Sequence, residues 1–323
     1  MYQIFKNLVA KGLVKYDSLN CVLVKVHDTC QWSCHFCHKE GSGSSNPVYN
    51  GTKFADTLVD FRDQLGFTEV HFTGGEPAIH TEITELIKTA KKLDFRVKMT
   101  SNGQTGVEQY LACIDCGLDE LNLSIHTLDG AQLAKMMSPI RNTLWGNRAI
   151  ERQLTLISLL REHIKIKINT VVIDNENPAL RIVEFVSAAN LEWRVMNELE
   201  HTEVSYSTMM HMCNKLGAKP LCAQIIQGSS SCGIIFQTLD GFIFKVKLIR
   251  PFLVESLCGD CSLEKVGQCR EFYYGPRIEA HNQELMVRSC LHRSNPPSIL
   301  AAEEFFTHRI AKDIIALKKA SSI

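Results

Sequence analysis

The chain has 323 residues, enough for one large domain or for one domain with a smaller appendage. Hydrophobic residues make up 45% of the sequence and charged residues 22%, the composition of an ordinary soluble globular protein. Lys plus Arg and Asp plus Glu number 35 each, so the charge balance argues against a nucleic-acid or membrane partner.

The N-terminal stretch MYQIFKNLVAKGLVKYD is too short and too interrupted by Lys for a signal peptide. No apolar run approaches the roughly 18–20 residues that span a bilayer. We therefore predict a cytoplasmic protein, in which thiols stay reduced. Thirteen cysteines in that compartment are expected to include metal ligands rather than disulfides.

Apolar, β-branched runs alternate with amphipathic stretches from about residue 20 to residue 200. This alternation predicts a parallel sheet with right-handed crossovers. Six units are too few for a closed eight-stranded barrel, so we expect a partial barrel or an open sheet. The predicted strands are 21–27, 69–73, 96–100, 120–125, 164–173 and 192–199. The predicted helices between them include 54–66, 81–93 and the stretch ALRIVEFVSAAN.

The alternation ends near Leu199, and the rest of the chain is Cys-rich. Its segments GIIFQT and GFIFKVKLI are strand-like, and a final helix is predicted from about Ile299 to Lys319. We therefore divide the chain into three regions. They are an N-terminal extension (1–20), an α/β partial barrel (21–205) and a C-terminal Cys-rich domain (206–323).

Cys30, Cys34 and Cys37 lie within eight residues after the first predicted strand, at C-x3-C-x2-C spacing. In a β/α barrel, loops after strands form the rim that binds ligands. Zinc would need a fourth ligand, such as His35 or His38. Covalent haem would need an export context that this sequence lacks. An iron–sulfur cluster usually takes four thiolates, and three would leave one iron open. The cysteines alone favour the cluster over zinc, and zinc over haem.

Glycine and small polar residues follow the next three predicted strands. In FTGGEP (72–77), two glycines allow close backbone approach, and Glu76 offers an acceptor for an ammonium group. Ser101 and Asn102 end the third strand, and Ser124 ends the fourth. Each feature alone is typical of a turn or a helix N-cap. Their recurrence predicts a polar ligand lying across this edge of the sheet.

The order of C-x3-C-x2-C, GGEP and SNG resembles the radical S-adenosylmethionine (SAM) superfamily over residues 21–199. The resemblance implies a partial (β/α)6 barrel with a [4Fe–4S] cluster on Cys30, Cys34 and Cys37. In that superfamily SAM chelates the open iron, and one electron cleaves it to methionine and a 5′-deoxyadenosyl radical. Arg194 is included in the implied SAM site, although a surface ion pair is an alternative role for it. The implied SAM site consists of Phe36, Gly74, Gly75, Glu76, Ser101, Asn102, Ser124 and Arg194.

A second cysteine group comprises Cys258, Cys261, Cys269 and Cys290 and begins with C-x2-C, a metal-site signature. Structural zinc is one interpretation. This half of the chain resembles the GTP 3′,8-cyclases, in which C-x2-C and a later C-L hold an auxiliary [4Fe–4S] cluster. The resemblance implies a second cluster here and makes Lys167 a substrate-side residue. Cyclases have three protein ligands at that cluster, so Cys269 would add a fourth and close it.

The sequence departs from the cyclases where they bind the triphosphate. The equivalent positions hold Leu23, Glu69 and His71 instead of cations, and the C-terminus KKASSI lacks their Gly-Gly tail. We therefore expect a related cyclase, lyase or oxidoreductase with a less anionic small-molecule substrate, such as a nucleoside derivative. It would need a reductant such as flavodoxin or ferredoxin. The alternative is a peptide-modifying maturase with an auxiliary cluster.

Overall fold

One thirteen-stranded sheet organises the chain in a computed structural model that describes residues 1–39 and 45–320. Its strands are β1 (Val14–Ser18), β2 (Cys21–Lys25), β3 (Glu69–Thr73), β4 (Arg96–Ser101), β5 (Glu120–Ser124), β6 (Lys165–Val172), β7 (Glu192–Asn197), β8 (Lys219–Gln227), β9 (Ser231–Gln237), β10 (Ile243–Ile249), β11 (Arg277–His281), β12 (Glu284–Arg288) and β13 (Ile299–Ala301). The spatial order of the strands is β1-β8-β9-β10-β7-β6-β5-β4-β3-β2-β11-β12-β13.

The helices of the described residues mostly cover one face of this sheet. They are α1 (Tyr2–Ala10), α2 (Thr52–Leu65), α3 (Ile83–Lys92), α4 (Val107–Asp115), α5 (Gly130–Lys135), α6 (Thr143–Leu160), α7 (Asn177–Ala188), α8 (Thr202–Lys215), α9 (Glu255–Cys258), α10 (Ser262–Lys265), α11 (Ala302–Thr307) and α12 (Arg309–Ala320). In the described part of the chain, none of them has the length and apolar character needed to cross a membrane.

Strands β2 to β7 are parallel neighbours in chain order, joined by α2 to α7. This half-barrel confirms the predicted α/β fold with a partial (β/α)6 barrel. Alternate residues such as Val70 and Phe72 are fully buried against the helices, because side chains alternate between the faces of a strand. The face away from the helices, here called the interior face, is polar.

Strands from the C-terminal region extend both edges of the half-barrel. β10 lies parallel to β7, and β11 lies parallel to β2. The two edges meet through the turn after β8. There the Ser230 amide donates to the Tyr273 carbonyl at 2.7 Å, and the Ser229 hydroxyl donates to the Tyr274 carbonyl at 2.6 Å. The interior face is therefore partly enclosed by residues far apart in the sequence.

The proposed regional boundaries cross this continuous sheet. The boundary between 205 and 206 lies inside α8, and β1, from the proposed N-terminal extension, pairs with β8 of the C-terminal region. The division into 1–20, 21–205 and 206–323 stays a prediction.

The single C-terminal helix predicted over about 299–319 is wrong in its first part. Ile299–Ala301 forms β13, which pairs antiparallel with β12. Two helices then follow, separated by His308 in an extended conformation. The His308 Nδ1 atom accepts from the Ile310 amide at 3.2 Å, so this side chain caps the start of α12. Pairing with β12 outweighs the local helix preference of this segment.

Candidate active site

The segment 28–39, here called the cysteine loop, follows β2 at the carboxyl end of the half-barrel. The Cys34 backbone bridges to Met137, and the His35 amide donates to the Met136 carbonyl at 2.9 Å. Cys30 and Cys37 are exposed and Cys34 is half-buried. The segment after α5 therefore anchors the loop while two of its thiols stay accessible to a ligand.

The three thiols of the cysteine loop lie near one another but outside the spacing of a mononuclear metal site. Burial, with the nearby Cys37 and Cys30 thiolates, raises the pKa of Cys34 to about 12, so the three thiols interact. Among residues 1–39 and 45–320, the one group of at least three metal-ligating side chains with all ligand atoms within 4.8 Å is Glu198, Glu200 and His201. No three cysteine sulfurs of the described residues lie that close together. Tetrahedral zinc would bring thiolate sulfurs to about 3.8 Å apart. In this structure at least one pair of the three sulfurs is therefore farther apart than in a zinc site.

Gly74 and Gly75 place the end of β3 directly against the cysteine loop. A Cβ atom on Gly74, whose φ is +133°, would lie 2.5 Å from the His27 carbonyl oxygen, and one on Gly75 would lie 2.1 Å from the Thr29 carbonyl oxygen. The Gly75 amide donates to the His27 carbonyl at 2.7 Å. Only residues without a side chain permit this approach.

Glu76 lies in the centre of the site and is 1% exposed. Its carboxylate accepts from the Asn102 amide at 2.6 Å and from the Ala78 amide at 3.0 Å. Burial raises its pKa to about 7, against the opposing effect of these hydrogen bonds. The side chain thus ties the ends of β3 and β4 together, and its predicted contact with an amino group stays a prediction.

Asn102 and Ser101 point in different directions. The Asn102 Nδ2 atom donates to Cys30 Sγ at 3.6 Å, so this side chain contacts the cysteine loop. The Ser101 hydroxyl is buried, 2.7 Å from the Tyr110 hydroxyl, on the helix side of β4. The structure therefore brings Asn102 into the site and gives the Ser101 hydroxyl hydrogen bonds within the protein. The ligand contact of Ser101 stays a prediction.

Gln153 of α6 is a site residue that the sequence did not reveal. Its Nε2 atom donates to the carbonyls of Asn102 and Ser124, both at 2.8 Å. Gln153 is 1% exposed, so it holds the ends of β4 and β5 in fixed positions. The sequence signal that could have identified Gln153 is a polar residue at an apolar position of an amphipathic helix.

A cavity of about 340 Å³ opens beside the cysteine loop, at the carboxyl ends of β6 and β7. The Phe36 ring lies on one side of it, with its centroid 4.9 Å from that of His126. The volume is in the range of small-ligand pockets. The sequence predicted Phe36 as a SAM contact and named His35 as a possible zinc ligand, but it missed the other residues of this cavity. Its lining is His35, Phe36, Ile173, Asp174, Glu198, Glu200, His201 and Val204.

Arg194 and Lys167 lie on the interior face. The Arg194 Nε atom donates to Asn169 Oδ1 at 2.9 Å, and Asn169 is the register partner of Ser124. Arg194 is therefore in line with the predicted SAM site. The Lys167 ammonium lies 2.7 Å from Glu120 and 3.4 Å from Glu192. Its charge is thus largely neutralised within the protein.

The second cysteine group also comes together in space. Burial, with the thiolates of Cys269, Cys290 and Cys261, raises the pKa of Cys258 to about 11. Arg293 donates to the Leu257 carbonyl at 2.9 Å and holds the segment after β12 against α9. Cys269 lies near Cys261 and Cys290, and its role as a cluster ligand stays a prediction.

Comparisons with known proteins agree with this geometry. Residues 24–186 match the sequence model of the radical SAM superfamily. A probable GTP 3′,8-cyclase of Methanococcus maripaludis (strain C7) is 24% identical over 252 residues, which cover 72% of this chain and 76% of that protein. The GTP 3′,8-cyclase of Chlorobaculum tepidum is 30% identical over 198 residues, covering 58% of this chain and 57% of that protein.

A comparison with solved structures finds SuiB of Streptococcus suis bound to S-adenosylmethionine, with a TM-score of 0.49 and 18% identity. The matched region covers 66% of this chain and 52% of the SuiB chain, so the chain spans about half of that structure. The family match includes the cysteine loop, the Gly-Gly-Glu segment and Asn102, and it covers half of the sequence. The chain belongs to the radical SAM superfamily of enzymes.

Proposed function

We propose that this enzyme reductively cleaves SAM and uses the 5′-deoxyadenosyl radical to abstract hydrogen from a small molecule in cofactor or natural-product biosynthesis. One observation carries the proposal: the ends of β3 and β4 converge on the cysteine loop, which itself follows β2. Gly75 packs on Thr29, Glu76 accepts from Asn102, and Asn102 donates to Cys30. Such convergence is expected where one cofactor spans several strand ends.

Cys30, Cys34 and Cys37 would hold a [4Fe–4S] cluster, which supplies the electron for SAM cleavage. The accessible thiols of this loop support this assignment. SAM would extend from this loop across the Gly74–Glu76 segment and Asn102, with Ser101, Ser124 and Arg194 as further predicted contacts. The cavity beside Phe36 has room for its adenine ring. Asn102 and Glu76, fixed by their own hydrogen bonds, would orient the bound cofactor without rearranging.

The second cysteine group would hold an auxiliary [4Fe–4S] cluster through Cys258, Cys261, Cys269 and Cys290. Here too, no three sulfurs have the close spacing expected for zinc, in the part of the chain described. Four thiolates would complete the coordination of all four irons. The auxiliary cluster would then act in electron transfer rather than in direct substrate binding.

The substrate would not be a nucleoside triphosphate. Glu69 forms an ion pair with Lys98 at 2.6 Å, and Leu23 presents an apolar side chain. A triphosphate at these positions would meet the Glu69 carboxylate, and the neighbouring cations Lys98 and Arg277 are already paired with Glu69 and Glu271. Lys167 stays a predicted substrate contact, and flavodoxin or ferredoxin a predicted reductant.

The test is anaerobic reconstitution of the full chain, followed by incubation with SAM and a strong reductant. We expect formation of 5′-deoxyadenosine, detected by mass spectrometry. Cys37→Ala should abolish it, because the cluster that binds SAM loses a ligand. Cys116→Ala, which changes a thiol at the end of α4, is the matched control. Wild-type activity that survives in Cys37→Ala would refute the proposal.

A further inference from the structure

Two lysines of β10, Lys245 and Lys247, lie on the interior face next to the proposed SAM site. Lys245 is the register partner of Arg194, which pairs with Asn169, which in turn pairs with Ser124. These four residues form one row across β5, β6, β7 and β10. A molecule that contacts SAM near Ser124 can therefore reach Lys245 along this row.

Tyr274 approaches the same place from the segment between Cys269 and β11. The Lys247 Nζ atom lies 4.3 Å from the centroid of the Tyr274 ring, and Arg277 lies 5.5 Å from it. The positive charges of Lys247, Arg194 and Arg277 lower the pKa of the Tyr274 hydroxyl, although burial opposes this. Several cations thus surround one hydroxyl group.

Charge compensation separates Lys245 and Lys247 from three other interior cations. Lys98, Lys167 and Arg277 form ion pairs with Glu69, Glu120 and Glu271 at 2.6, 2.7 and 3.1 Å. In the described chain, no carboxylate lies within 4.0 Å of either β10 ammonium.

The environment of Lys245 reflects this lack of compensation. Burial, with the charges of Arg194, Lys247 and Lys167, lowers the pKa of Lys245 to about 8, and Asp17 of β1 opposes the shift. A Cβ atom on Gly233 of β9 would lie 2.9 Å from Lys245 Cε, so a glycine provides the space for this side chain. The protein maintains positive charge here at a cost in free energy.

We propose that Lys245 and Lys247 bind an anionic group of the substrate, either a carboxylate or a phosphate. This inference rests on the proposed function, because it assigns the substrate of the same site. An anion would form charge-assisted hydrogen bonds with two half-buried ammonium groups that have no carboxylate partner. Two lysines suit one such group, which agrees with a substrate less anionic than a triphosphate.

The test measures binding of inorganic phosphate and of malonate to the reconstituted full chain, by calorimetry at low ionic strength. We expect one of the two probes to bind, which identifies the phosphate or the carboxylate. Lys245→Met and Lys247→Met should each weaken that binding roughly ten-fold or more. Lys219→Met, at the exposed start of β8, is the matched control, and Lys245→Arg should retain most of the affinity.

A second measurement needs no variant. Because Lys245 must be protonated to bind an anion, wild-type affinity should fall as the pH rises through about 8. The charged groups that act on Lys245 are Arg194, Lys247, Lys167 and Asp17. If neither probe binds, or if the Met variants bind as tightly as wild type, the inference is wrong. Formation of 5′-deoxyadenosine is measured separately, so failure of the proposed function would be recognised independently.

Discussion

Gly75 shows how one backbone position shapes this site. Its Cα faces the Thr29 carbonyl so closely that any side chain would overlap it. The sequence indicated that the glycines allow close approach to a ligand. The structure adds that their immediate neighbour is the cysteine loop itself, so they position the thiols.

Gly75→Ala should therefore displace the cysteine loop. The added Cβ atom would lie 2.1 Å from the Thr29 oxygen, and overpacking of this kind typically costs about 1–3 kcal/mol. We expect iron content and SAM affinity to fall, measured by iron analysis and by equilibrium binding. Gly51→Ala is the control, because its Cβ atom would meet nothing within 4 Å. Equal losses in both variants would contradict the specific role of Gly75.

At the scale of elements, α9, α10 and the segments after them gather four cysteines. Cys269 follows α10, where its amide donates to the Leu263 carbonyl at 3.2 Å. Its environment is consistent with a fourth cluster ligand, and also with a half-buried thiol that binds no metal. These alternatives differ in measurable ways.

Cys269→Ala should change the auxiliary cluster alone. Loss of a fourth ligand would open one iron to water or thiol and shift the electron paramagnetic resonance spectrum of that cluster. The response of the other cluster to SAM should remain, because its ligands lie in the cysteine loop. Cys222→Ala, on β8, is the control. If Cys269 binds no metal, the spectrum and the iron content of its variant will both match wild type.

At the scale of the whole molecule, C-terminal strands extend both edges of the half-barrel. In the sequence, the cysteines of the second group follow β10 and flank the β11–β12 pair. Because both predicted cluster sites depend on the same continuous sheet, we expect both clusters to bind to the same folded state. The interior face between the edges is where a substrate would lie.

Fully reconstituted protein should contain about eight irons per chain, because two [4Fe–4S] clusters are predicted. Iron and zinc analysis of anaerobically purified protein measures this number. About four irons with bound zinc would refute the auxiliary cluster while leaving the family assignment unchanged.

GTP should not be converted to a cyclised pterin precursor. At the positions that we equate with the triphosphate site of the cyclases, Glu69 is paired with Lys98 and Leu23 is apolar. Chromatography of the products, with the Chlorobaculum tepidum cyclase as positive control, measures the reaction. Efficient conversion of GTP would show that Leu23, Glu69 and His71 are not the equivalent positions.

The sequence by itself determined the six β/α units, the cysteine loop and the order of the site motifs. The predicted and observed bounds of strands such as Glu69–Thr73 agree, because the alternation of apolar and polar residues is a local feature of the sequence. The cysteine spacing and GGEP were recognisable for the same reason, since each motif is a short segment with its own chemistry.

Only the tertiary structure decided which side chains meet. Gln153 joins two strand ends from a helix, Ser101 turns toward Tyr110, and Lys245 aligns with Arg194 across a strand pair. Likewise Ile299–Ala301 becomes a strand because β12 lies beside it. These contacts join residues far apart in the chain, and their free energy depends on how the whole sheet packs, which no local pattern encodes.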